Sequence, residues 1–320
     1  MTARASGDAS IAAWFRPRWP ADGRGFYESF YLKANHPERR LAVWLKFNLL
    51  EPRRGGLGGE VWGVWFDGEK GFQRVAHLAA EPAPAPASVR IGDCRLELAG
   101  GELEESARLP GMAWAVRLRP LAQPIVHFPS ARLYSGELPR KKIVTPVPLG
   151  RLEGWLEMGS ERVSLDGWRG FFGRNWGREH ARAYAYGNAA FADGGLLDAF
   201  SARVRIGPAV LPAVSIAVVR ADGQEYRFDR PRHWLARGAR WDDRSWSLQL
   251  PGAGGLRLQL AMEAPDRDFV RLDYRQPAGG EAICFNTKFA RCRLSVERAG
   301  KRVYEGETGS AELETLRPSP

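Results

Sequence analysis

The chain has 320 residues, 44% of them hydrophobic, with 12 Trp, 15 Phe and 8 Tyr and a formal charge of +10. No apolar run reaches the roughly 20 residues of a membrane-spanning helix, and the length predicts two units, each able to bury its own core. Cys94, Cys284 and Cys292 are widely spaced, and His36, His77, His127, His180 and His233 are dispersed. This pattern excludes a disulfide framework and a metal site of familiar spacing, and neither metal nor cofactor is expected.

The positive charge does not read as a nucleic-acid footprint. Only seven of the 47 basic residues are Lys, and most of the Arg residues stand singly between apolar neighbours. The densest runs, Arg39-Arg40, Arg53-Arg54 and Arg140-Lys141-Lys142, adjoin Pro or Gly as loops do. Nucleic acid is therefore not an expected partner; a weak contact with an anionic membrane surface is the electrostatic alternative. Residues 1–14 lack the apolar stretch of a secretory signal, so the expected location is cytoplasmic, at most peripheral to a membrane.

Along the chain, β-branched and aromatic runs alternate with Gly-containing turns, and helical periodicity is nearly absent. Strands are predicted over 42–50, 61–66 and 72–78, with Asp67-Gly68 as the turn between the last two. The Pro-Ala repeat of 81–87 cannot be a central strand and is expected as an extended surface connection. The Pro-bearing segment 138–149 is the predicted boundary, giving domains 1–145 and 146–320, with a fresh alternating run from Arg151 to Trp155. In the second half, strands are predicted over 213–220 and 226–228 about an Asp222-Gly223 turn. Others follow over 246–250, 256–262, 269–274, 283–289 and 292–296, and Ala299-Gly300 turns back into Val303-Tyr304. The fold class is all-β, with two antiparallel barrels or strongly curved sandwiches. Residues 27–74 and 184–228 run through the same order of aromatic strand, loop and Gly-punctuated strands, a weak internal repeat.

No nucleophile elbow, phosphate-binding loop or H-E-x-x-H signature is present. Two segments stand apart: Glu28-Ser29-Phe30-Tyr31, and the run from Gly170 to His180 containing Arg174-Asn175-Trp176-Gly177, followed by Tyr184, Tyr186 and Asn188. An Asn-Trp-Gly turn between two strands, with an early Glu-aromatic-Tyr strand far upstream, resembles the tocopherol cyclase and carotenoid hydratase family. The resemblance implies two lipocalin-like β domains and protonation of an isoprenoid double bond followed by cyclisation or hydration; other members are lipid-binding proteins. Where the hydratase branch places an acidic residue and a His before Asn-Trp-Gly, this chain has Gly173 and Arg174. Arg174 matches the basic residue of the cyclase branch, while Ser29 and Phe30 replace two tryptophans of the upstream strand.

Protonating an alkene needs a carboxylic acid kept neutral near pH 7, which an apolar pocket achieves by penalising the charged form. Asp198, set in Leu196-Leu197-Asp198-Ala199-Phe200, is the expected acid, and Glu28 is the second. Tyr31, Arg174, Asn175, Trp176, His180, Tyr184 and Tyr186 are the expected ligand-binding set; Tyr184, Tyr186 and Asn188 share one strand face. Each has a plainer reading. Asp198 can pair with Arg203 or Arg205, Glu28 with one of many Arg residues, Asn175-Trp176-Gly177 can be a tight turn, His180 a surface residue and Asn286 structural. The expected function is binding of an isoprenoid or other hydrophobic small molecule, with acid-initiated cyclisation or hydration. The alternatives are a noncatalytic carrier of the same fold, or an accessory domain with filled barrels.

Overall fold

A computed structural model describes residues 10–203, 205–206, 209–210, 212–233 and 238–319. It is antiparallel β almost throughout, with 6% helix, so the all-β prediction holds. Two compact units are present: residues 1–39, 43–65 and 74–179 form one, and 40–42, 66–73 and 180–320 the other. Residue 145 lies inside strand Lys141–Met158, and the division falls after Glu179. The prolines that suggested a linker are accommodated where that strand shifts register between Val144 and Val147 and again before Gly150.

Both sheets follow one connectivity. In the first, Phe26–Asn35 lies between Leu41–Glu51 and Arg169–Gly177, so the opening strand pairs with the closing one. In the second, Ala183–Ala190 lies between Leu196–Arg203 and Lys301–Pro318 in the same way. A short strand off the main path pairs with the penultimate long strand in each: Ile125–Val126 on Lys141–Met158, and Val270–Arg275 on Glu281–Arg298. The weak repeat in the sequence thus has a topological counterpart.

Local structure follows the turn chemistry. Asp222 and Gly223 have φ of 51° and 70°, and Ala299 and Gly300 of 51° and 79°, the paired left-handed residues of a tight hairpin. Asp67-Gly68 differs: the loop runs on to Gly71, and Asp67 Oδ1 accepts from the backbone N–H of Glu69 and Lys70 at 3.1 and 2.9 Å. The carboxylate thus stabilises a longer turn than the dipeptide predicted. Pro82–Ala85 is the terminal strand of the first sheet, an edge position where a missing N–H breaks no ladder. The predicted strands 283–289 and 292–296 are one strand, Glu281–Arg298, bent by register shifts around Ala290.

Each unit packs across its own interior. Gly63 lies against Met112 and Trp114 although their strands are not neighbours; a Cβ there would come within 2.8 Å of the Trp114 ring. Gly187 receives Met262 and Trp246 likewise, within a cluster that includes Leu197, Ala199, Phe228, Leu294 and Leu313. That apolar cluster lines the second interior. The first is different, as the site residues show.

Candidate functional site

Alternation decides which residues meet. Leu118 covers the Cα of Gly170, so Gly170, Phe172, Arg174 and Trp176 point to the inner face of the first unit. Opposite Trp176 and Arg174 in register are Glu28 and Phe30. Glu28 and Arg174, both fully buried, form an ion pair there. Arg174 also donates to the Trp14 carbonyl, and the Arg18 backbone N–H donates to Glu28 Oε2 at 2.8 Å. The guanidinium lies 4.9 Å from the centre of the Phe30 ring and 4.8 Å from that of Trp176, where the negative ring faces favour a cation. Burial lowers the affinity of Arg174 for its proton, and the charge and hydrogen bond of Glu28 oppose that shift.

The segment before the first strand closes this site. Ser10 caps the short helix Ile11–Phe15 through a hydrogen bond from the Ala13 N–H. Phe15 is fully buried, with ring centres 5.9 Å from Phe30 and 6.2 Å from Phe172. Trp14 meets Tyr134 edge-on at 4.9 Å, and Tyr134 is held by donating to the Ile143 carbonyl at 3.0 Å. Trp19 Nε1 donates to Glu51 Oε1 at 3.1 Å. Two buried donors, Arg174 Nε and Trp14 Nε1, have no acceptor among the described residues. Orphaned buried donors are costly, and an oxygen brought by a ligand or by water would satisfy them.

A second carboxyl shares the inner face. Leu103, Glu105, Ala107 and Leu109 are the buried positions of strand Glu102–Leu109, and Leu103 pairs with Leu118. Glu105 accepts from Trp114 Nε1 at 2.9 Å, and burial pushes its pKa up to about 8 despite that bond. It therefore holds its proton at neutral pH. Sequence reasoning passed over it, although a Glu at an inward position of an alternating Leu-x-Glu-x-Ala-x-Leu run was a legible signal.

The expected set is thus divided. Glu28, Arg174 and Trp176 come together; Tyr31 and Asn175 lie on the opposite face of the same strand pair. There the Tyr31 ring covers Gly173, where a Cβ would sit 2.5 Å from the ring. This explains why no side chain occupies position 173. In the second unit, Tyr184, Tyr186 and Asn188 lie on the face opposite Ala185, Gly187 and Ala189, which line the apolar interior. Asp198 is fully buried on the former face and accepts from the Tyr186 hydroxyl at 3.3 Å and Asn188 Nδ2 at 3.5 Å. Arg203 stands over the Trp241 ring at 4.8 Å, and the side chain of Arg205 lies outside the described residues. Tyr184 donates to Glu314, which also accepts from Asn286 Nδ2 at 2.7 Å; Lys288 bridges Asn286 and Glu312. His180 is half-buried, its ring 6.5 Å from that of Tyr274.

No family model matches the chain. It is similar to two uncharacterised proteins, one from each of two Mycobacterium tuberculosis strains. Each is 28% identical over 301 residues, spanning 93% of this chain and 88% of theirs. Among solved structures it is similar to a Nitrosomonas europaea protein provisionally assigned as AttH, with a TM-score of 0.58 and 14% identity over 90% of this chain and 91% of that one. It is also similar to kievitone hydratase from Nectria haematococca, with a TM-score of 0.56 and 10% identity over 92% and 89% of the respective chains. At these identities the likeness is one of fold.

Proposed function

We propose that the first unit binds a hydrophobic small molecule of isoprenoid type that carries one oxygen function. The observation that carries this reading is the pair of orphaned donors, Arg174 Nε and Trp14 Nε1, set in a shell of Phe30, Trp176, Tyr134 and Phe15. The rings supply apolar area for a prenyl or aryl body, and the two donors orient its oxygen. Glu28 acts on Arg174 rather than on the ligand: it compensates the buried charge and fixes the guanidinium plane.

A catalytic version of this function assigns the proton to Glu105. A neutral carboxylic acid adds its proton to one carbon of the double bond, and water, or a hydroxyl of the substrate, attacks the resulting cation. The attacking oxygen then loses its proton to the carboxylate, which restores the acid. Kievitone hydratase shares the fold, which supports hydration as the reaction class. Asp198, the acid expected from the sequence, is the competing assignment. The noncatalytic carrier differs only in lacking turnover.

Mass spectrometry of organic extracts of the purified protein is the test of binding. The expected result is an oxygenated isoprenoid or comparable lipid, with retention reduced in a Trp14→Leu variant that keeps the fold. Extracts free of lipid, together with no binding of a prenylated quinol, would sink the reading. With turnover in hand, Glu105→Gln should cost a factor of about 10² or more and Asp198→Asn far less; the reverse order moves the acid to Asp198.

A further inference from the structure

A cleft of about 490 Å³ in the second unit has no part in the site just described. Its floor includes Ala183 and Leu316, both buried, and one wall is the half-buried Trp241. Arg182, Arg203 and Arg317 stand around it. The two acids in the lining are already engaged. Asp243 receives Arg317 Nε at 3.0 and 3.2 Å, and Asp242 accepts from the backbone N–H of Arg244 and Ser245 at 2.8 and 2.7 Å. Arg182 and Arg203 are both exposed and form no ion pair among the described residues, and Arg203 is set over the Trp241 ring at 4.8 Å.

A guanidinium stacked on an aromatic ring keeps its N–H edge free for a planar anion while losing part of its freedom to reorient. Arg203 is held in this way, and with Arg182, which likewise forms no ion pair among the described residues, it stands above an apolar floor and beside an indole, a recognition set for a charged head on a flat apolar body. The volume is that of a small-molecule site.

We infer that this cleft binds a small organic anion, an aryl or prenyl carboxylate or phosphate monoester, with Arg182 and Arg203 on the anionic group and Trp241 on the apolar body. Isothermal titration of the full chain with 2-naphthoate, and with uncharged 2-naphthalenemethanol as control, is the test. The acid is expected to bind at least about tenfold more tightly than the alcohol, with an affinity that falls as salt rises. Arg182→Gln with Arg203→Gln should remove that preference; both side chains are exposed, so the fold should survive, as circular dichroism would verify. Trp241→Leu should weaken the acid while leaving its salt dependence. An Arg90→Gln variant, which removes an exposed arginine of the first unit outside both sites, should bind naphthoate as the parent does. Equal affinity for acid and alcohol, or an unchanged affinity in the double arginine variant, would overturn the inference. So would arginine-dependent binding of phosphatidylglycerol vesicles without any binding of naphthoate, which would make the cleft part of a membrane contact.

Discussion

Glu105 and Arg174 are ionisable groups buried in the first unit, and burial shifts the proton affinity of each. Glu105 keeps its proton in the folded chain up to about pH 8, against 4.5 for an ordinary Glu. Below 4.5 both folded and unfolded chains hold that proton. Between 4.5 and 8 the folded state binds more protons than the unfolded one, so stability falls as pH rises, by about 4–5 kcal/mol at most, and levels off above. Glu105→Gln keeps the shape and the acceptor for Trp114 without the ionisation. It should leave stability unchanged at pH 4 and raise it at pH 9, read as the urea midpoint at each pH. A variant no more stable than the parent at pH 9 would show that Glu105 ionises freely. Arg174→Met leaves Glu28 buried without its counter-charge and should cost about 3–5 kcal/mol. Adding Glu28→Gln should recover a large part of that loss, because the penalty belongs to the uncompensated carboxylate; no recovery would mean that guanidinium packing against Phe30 and Trp176 dominates.

At the scale of elements, the pairing of Phe26–Asn35 with Arg169–Gly177 organises both faces of the first unit. The even positions of that pair bring Glu28 and Arg174 inward, and the odd positions lay Tyr31 on Gly173. Gly173→Val would drive a branched side chain into the Tyr31 ring and should destabilise by about 1–3 kcal/mol. The shift should largely disappear in a Tyr31→Ala background, which a double-mutant cycle in urea would measure. Part of this is legible in the sequence: the Glu-aromatic-Tyr strand and the Asn-Trp-Gly segment each stand out, as two separate marks of one family resemblance. That they pair directly, in a register that separates Glu28 from Tyr31, is not, because a β pairing across more than a hundred residues leaves no local periodicity to read.

At the scale of the whole molecule, the first sheet closes only when residues 141–158 and 169–177 join it. A fragment ending at residue 145 leaves both flanks of that closure unpaired. It should show no cooperative thermal transition by circular dichroism; a sharp transition would restore the boundary read from the prolines. Chain length by itself set the expectation of two units, while turn dipeptides and period-two alternation determined that the chain is all-β and where most strands and both tight hairpins lie, because these are properties of a few adjacent residues. Only the tertiary structure decided where the units divide, that Glu105 is a buried neutral acid, and that Asp198 lies on the face opposite its unit's apolar interior. Burial, desolvation and the choice between the two faces of a strand depend on residues distant in sequence, so the same carboxylate written among apolar neighbours can face either way until the sheet is closed.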